Sequence, residues 1–108
     1  MQIKELQNEV DRMNKAFCDK QGYIMDSKEN IMRMVIKLGE ENGELCEAVL
    51  AGFGMQSQRK LDAHSIEDTK GELADVIISA MVIARDMNID LEEILVGKLA
   101  SLNARIQE

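Results

Sequence analysis

The 108-residue sequence has no proline, three aromatic side chains (Phe17, Tyr23 and Phe53) and one histidine, His64. Without proline, and with few runs of aromatic or β-branched residues, it does not read as a turn-rich β-sandwich or barrel. Its two cysteines, Cys18 and Cys46, make no Cys-x-x-Cys pair. The segment from Met1 to Glu5 lacks the apolar run of a secretory signal. Free thiols in a reducing cytoplasm are therefore expected rather than a disulfide. No apolar stretch reaches the roughly 18 residues of a membrane span. Basic residues are also in deficit, 13 against 20 acids, for a formal charge of −7. That balance disfavours nucleic acid or an anionic membrane as partner and leaves room for a cation site. What is present is 45% hydrophobic and 31% charged, a globular composition. The length fits one domain, 1–108.

Apolar periodicity divides the chain into four helical segments. Ile3, Leu6, Val10, Met13 and Phe17 form one stripe of a helix over about Ile3–Cys18, followed by a loop containing Gly22. A capping box of Asp26 with Glu29 starts the second helix, whose stripe is Ile31, Val35, Leu38, Leu45 and Val49, ending near Gly52. Residues 52–68 show no period and read as a long loop. Thr69 with Glu72 reads as the start of a third helix. This helix is apolar on all sides through Val76, Ile77, Ile78, Met81, Val82 and Ile83. Asn88 ends it, and Asp90 caps a fourth helix bearing Leu91, Leu95, Leu99, Leu102 and Ile106. The expectation is an all-α, four-helix bundle. A helix apolar all round must be surrounded, so a homo-oligomer with the third helix central is expected, a dimer or a tetramer.

Two acidic pairs stand out. In Glu40-Glu41-Asn42-Gly43-Glu44, followed by Glu47, the helical phase sends Glu40 and Glu47 to solvent. The same phase puts Glu41 on the flank of the apolar stripe, with Glu44 a turn later on the same side. Glu72 and Asp75 repeat the i, i+3 spacing immediately before the apolar run. Glu72 also fits an N3 capping role, and Lys37 serves equally as a neutraliser of Glu41 and Glu44. Like charges three apart repel, and a desolvated carboxylate costs several kcal/mol unless compensated. Two such pairs on facing helices are explained by a shared cation. Four hard oxygen donors suit Mg²⁺, with Mn²⁺ as a substitute. A di-iron carboxylate bundle requires Glu-x-x-His motifs, and His64 lies in the loop.

These residues resemble the MazG-like all-α nucleoside triphosphate pyrophosphohydrolases. The likeness rests on Glu41-x-x-Glu44 and Glu72-x-x-Asp75 within Lys37-Leu38-Gly39-Glu40-Glu41-Asn42-Gly43-Glu44-Leu45 and Glu72-Leu73-Ala74-Asp75-Val76-Ile77. It extends to Asn88-Ile89-Asp90-Leu91-Glu92-Glu93 with Lys98, and covers roughly Lys37 to Arg105. The resemblance implies Mg²⁺-dependent cleavage of a (d)NTP between the α- and β-phosphates by a metal-activated water. It also implies that Glu41, Glu44, Glu72 and Asp75 are metal ligands, with Glu41 or Glu44 as base, in a helical dimer or tetramer. Lys37, Lys98, Asn103 and Arg105 are candidate phosphate contacts, being donors to phosphate oxygens. Phe53, at the mouth of the long loop, is the candidate base contact, while Phe17 fits the core stripe of the first helix. The competing reading is a non-catalytic oligomeric helical module or a nucleotide-binding regulatory protein.

Overall fold

A computed structural model describes residues 2–63 and 65–107. His64, read above as a loop residue, lies outside the described residues. Among the described residues there is no strand, and five helices follow one another: α1 (Ile3–Gln21), α2 (Lys28–Gly52), α3 (Gln58–Ala63), α4 (Ile66–Asp86) and α5 (Leu91–Ile106). The all-α architecture is the one that the periodicity predicts.

The differences lie at the ends of the helices. Segment 52–68 is not all loop, because it contains the short helix α3 and the first turn of α4. The start of α4 is set by Ser65, whose side chain accepts from the Asp68 amide while the Asp68 carboxylate accepts from the Ser65 amide. That reciprocal pair satisfies two orphan donors, and it removes Thr69 and Glu72 from capping. Helix α2 begins likewise one residue later than Asp26 implies, with the Ser27 hydroxyl accepting from the Asn30 amide. Asp26 itself adopts a left-handed backbone (φ 66°) and turns its carboxylate to Arg85. Asp90 caps α5 as expected, accepting from the Glu93 amide.

Helices α2 and α4 make the principal contact; α1 packs on α4, α5 on α1 and α3 on α2. Val10, Met34, Met81 and Val82 form the core, with Ile83 and Leu91 packed against it. Burial of such side chains contributes about 1.5–3 kcal/mol each. The buried stripe of α1 is Gln7, Val10, Asn14 and Cys18. This is rotated by roughly 60° from the apolar stripe at 100° per residue, and Leu6, Met13 and Phe17 are left exposed. The rotation has a physical cause, since Gln7 and Asn14 are placed where buried polar partners await them. Gln7 donates to the Ile89 carbonyl at 2.9 Å and accepts from the Leu91 amide at 3.2 Å. Asn14 donates to the Asp86 carboxylate. In α2 the buried residues are Asn30, Met34 and Glu41, with Val35 exposed.

Ile77, Ile78 and Leu73 of α4, and Leu95, Leu99 and Leu102 of α5, face outward. The radius of gyration is 16.7 Å, against about 13 Å for a compact chain of this length. The accessible surface is 7791 Å², where a compact monomer of this mass has roughly 6,000 Å². No helix among the described residues is long and apolar enough to cross a membrane.

Candidate metal and nucleotide site

The antiparallel pair α2 and α4 brings three of the four predicted acids onto one point. Glu41, Glu72 and Asp75 can each present a carboxylate oxygen so that all three lie within 4.8 Å of one another. The i, i+3 spacing places Glu72 and Asp75 on one face of α4, and the packing of α2 aims Glu41 at that face. Glu41 is not on the flank of the buried stripe but within it, only 6% exposed. The stripe phase taken from apolar residues alone misses this, because Asn30 and Glu41 belong to the buried face as fully as Met34 does. Glu40 and Glu47 are exposed, as the helical phase predicts.

The acids are under-compensated. Lys37 Nζ reaches Glu41 Oε1 at 3.0 Å from one turn earlier. Its ammonium is held above the ordinary lysine value, first by that hydrogen bond and then by the charge of Glu41. Glu41 Oε2 and Glu72 Oε2 are both buried with no hydrogen-bond partner among the described residues. Burial pushes the Glu72 carboxyl above the usual range, and a hydrogen bond shared with Glu44 and the charges of Glu44, Glu41 and Asp75 push it further. Glu44 is exposed and completes the cluster from its rim. Two buried carboxylate oxygens without donors, facing a third acid, are a costly arrangement for a fold to keep for its own stability. Hard oxygen donors at this separation match Mg²⁺ or Mn²⁺, so the donor set fits the ion that the resemblance implies.

Two clefts flank the cluster. One, of about 260 Å³, is lined by Glu44, Glu47, Ala48, Lys60, Asp68 and Glu72. Lys60, from α3, pairs with Glu47 at 2.5 Å. It is the only basic side chain among the described residues that line this cleft. The other, of about 200 Å³ and mostly apolar, includes Phe17, Arg33, Met34, Lys37, Ile78 and Ser79. The Arg33 guanidinium lies 4.2 Å from the Tyr23 ring centre and 5.5 Å from that of Phe17. It also donates twice to Asn30 Oδ1.

Lys37 is the one candidate phosphate contact that the chain brings to the acids. Lys98, Asn103 and Arg105 are exposed on α5, which leaves the α4 turn to pack on α1, and none of them lines the acidic cleft. Phe53 follows the end of α2, is 76% exposed and lines neither cleft; the aromatic side chain beside the site is Phe17. Sequence reasoning missed Lys60, although Arg59-Lys60 is the only basic pair between residues 52 and 68.

No curated protein and no solved structure gives a significant match to the chain. The sequence model described as phosphoribosyl-ATP pyrophosphohydrolase matches residues 4–97, a span that includes all four acids and both clefts. An all-α fold with convergent carboxylates on two facing helices is thus the setting of a hydrolase of phosphoanhydride bonds, and the chain belongs to the phosphoribosyl-ATP pyrophosphohydrolase family.

Proposed function

We propose that the protein hydrolyses a nucleoside triphosphate, or a triphosphate-bearing relative of one, between the α- and β-phosphates. Water adds across that anhydride, its oxygen going to the α-phosphorus, and the products are a monophosphate and pyrophosphate. The observation that carries the reading is the trio Glu41, Glu72 and Asp75, with two buried oxygens lacking donors. These three residues would hold Mg²⁺. When bound there, the ion would supply positive charge against the phosphate oxygens and make a bound water more acidic, so that a neighbouring carboxylate can take its proton. Glu44, exposed at the rim and free of an ion pair among the described residues, would take the proton of the attacking water in this reading. Lys37 holds Glu41 in position and offers its remaining donors to a phosphate oxygen.

The chain acts as a homo-oligomer in this reading. Its surface of 7791 Å² exceeds that of a compact monomer by roughly 1,800 Å², and exposed apolar residues lie on α1, α2, α4 and α5. A standard interface takes only about 800 Å² per partner.

The test is incubation with Mg²⁺ and a panel of NTPs and dNTPs, together with phosphoribosyl-ATP, the compound for which the matching family is named. Monophosphate-level product plus pyrophosphate supports the reading, and the preferred member of the panel separates a MazG-like from a phosphoribosyl-ATP role. Diphosphate plus orthophosphate refutes cleavage at the α–β bond. No turnover, with Glu44→Gln leaving the protein unchanged, favours the non-catalytic module. Light scattering that finds a stable, well-folded monomer refutes the oligomer.

A further inference from the structure

The acid cluster lies between two clefts that differ in charge, one mostly apolar and the other carrying four carboxylates and Lys60 among three alanines, and the order is the same on both helices. Along α2 it runs Arg33, Met34 and Lys37, then Glu41 and Glu44, then Glu47 and Ala48. Along α4, antiparallel, it runs Val82, Ser79 and Ile78, then Asp75 and Glu72, then Asp68. Steps of about four residues advance about 6 Å along a helix, so three zones follow one another along a single groove at intervals of about one turn. A nucleotide has the same three zones in the same succession: a flat, mostly apolar base, a scissile phosphate one sugar away, and a polyanionic leaving group beyond it.

Resting on the reading proposed above, we infer that the substrate lies along the α2–α4 groove in one orientation. Its base enters the apolar cleft beside Phe17 and Arg33, and its pyrophosphate end points past Glu72 to Lys60. Chemistry excludes the reverse. The apolar cleft encloses about 200 Å³, below the roughly 300 Å³ at which drug-sized pockets begin. It is of a size for one ring system, with apolar walls that would strip water from a pyrophosphate without replacing its hydrogen bonds. Aromatic and guanidinium faces are the surfaces on which a base stacks. Arg33 is already held flat, between its two bonds to Asn30 and the Phe17 and Tyr23 rings, which themselves lie 6.2 Å apart. At the other end Lys60 has only its exposed partner Glu47 to leave, an ion pair at the surface that is worth little. Exchanging that carboxylate for a phosphate gives the ammonium one anionic acceptor for another. The carboxylates around it tolerate pyrophosphate because such anions arrive with their cations.

Binding of each product separately tests the orientation. Calorimetry with Mg²⁺-pyrophosphate and with nucleoside monophosphates is carried out on the wild type, Phe17→Leu, Arg33→Gln and Lys60→Ala, alongside turnover of the triphosphate panel. The expected result is a double dissociation. Lys60→Ala weakens pyrophosphate about tenfold and leaves monophosphate affinity within about twofold. Phe17→Leu weakens monophosphates about tenfold and alters the ranking of bases in kcat/KM, with pyrophosphate unchanged; Arg33→Gln does the same if its face is the stacking surface. In an active wild type, the opposite pairing of variant and product, or equal losses of both products in every variant, overturns the orientation alone. A Phe17→Leu protein with an altered oligomeric state and unaltered base ranking overturns it too, by giving the apolar cleft to a second copy of the chain. A wild type that neither turns over a triphosphate nor binds either product overturns the proposed function, and the orientation with it.

Discussion

Helix α4 carries a cluster of carboxylates near each end, and the two are opposite in kind. At its C-terminal end Asp86 is 5% exposed and fully provided for. Asn30 Nδ2 donates to it at 2.6 Å, Asn14 Nδ2 at 3.3 Å and the Asp26 amide at 3.5 Å. Arg85 answers the neighbouring charges of Asp26 at 2.8 Å and Asp11 at 3.7 Å. Among the described residues Asp11 Oδ1 is the one buried oxygen there that lacks a partner, and burial raises the Asp11 carboxyl above its usual range. Nearer the N-terminus of α4, beside Glu44, Glu72 and Asp75, only Glu41 pairs with a base, Lys37, and two buried oxygens find no donor among the described residues. A buried carboxylate surrounded by amides stabilises the fold that supplies them. Carboxylates facing one another without donors weaken it unless a cation compensates them. Burial alone does not distinguish Asp86 from Glu41, whereas their donors do: three groups donate to Asp86, and among the described residues only Lys37 reaches Glu41.

The comparison can be broken in four places. The largest effect is on activity: Glu72→Gln or Asp75→Asn should lower kcat/KM at least about 100-fold, about 2.7 kcal/mol in the barrier, while the melting midpoint stays or rises. A variant that loses stability in step with activity would make these acids structural after all. Next is the response to metal. Mg²⁺ at about 100 times its dissociation constant should stabilise the wild type by roughly 2.7 kcal/mol, and Glu72→Gln should remove most of that gain in a thermal-shift titration. Asp86→Asn, which keeps one acceptor oxygen, should retain it. At the other end of α4, Asp86→Ala should destabilise by about 2–3 kcal/mol in denaturant unfolding, because the Asn14 and Asn30 amides lose their acceptor. Relief of repulsion there, seen as a gain in stability, would erase the contrast.

The smallest effect concerns a pair outside both clusters. Lys4 Nζ meets Asp90 Oδ2 at 2.6 Å, tying α1 to the cap of α5. The hydrogen bond from Lys4 holds the Asp90 carboxyl below its ordinary value, and its counterpart raises Lys4. The stabilisation should thus be fully present above the unfolded carboxyl value and below the unfolded lysine value. It is lost as pH falls through the lowered Asp90 value or rises through the raised Lys4 value. Asp90→Asn preserves the cap, so the midpoint difference from wild type should be small near neutrality and vanish in acid. A difference that persists in acid would assign the effect to capping instead of charge.

The helices and the acidic pairs were legible because both are local: stripes at three/four spacing and acids at i, i+3 need no knowledge of distant chain. What escaped was long-range. Asn14 and Asn30 meet Asp86 across 72 and 56 residues, and nothing in the surroundings of any of them marks the meeting. That network rotates α1 away from its apolar stripe, turning Phe17 from an expected core residue into a wall of the apolar cleft. The same blindness put Glu41 at the edge of the buried face. The start of α4 was misplaced for a different reason, since Ser65–Asp68 and Thr69–Glu72 carry the same capping spacing and only tertiary packing chooses between them.

That choice has a practical consequence. The start of α4 is fixed by a cap that lies wholly within Ser65–Asp68, while its packing on α2 turns Glu72 and Asp75 toward Glu41. In the proposed orientation residues 53–63 stand over the pyrophosphate end, so grafts in this stretch that keep Ser65–Asp68 should change pyrophosphate binding while the start of α4 stays where it is. For protein engineering, the same orientation makes the segment around Lys60 the place where pyrophosphate affinity would be altered with Glu41, Glu72 and Asp75 left untouched.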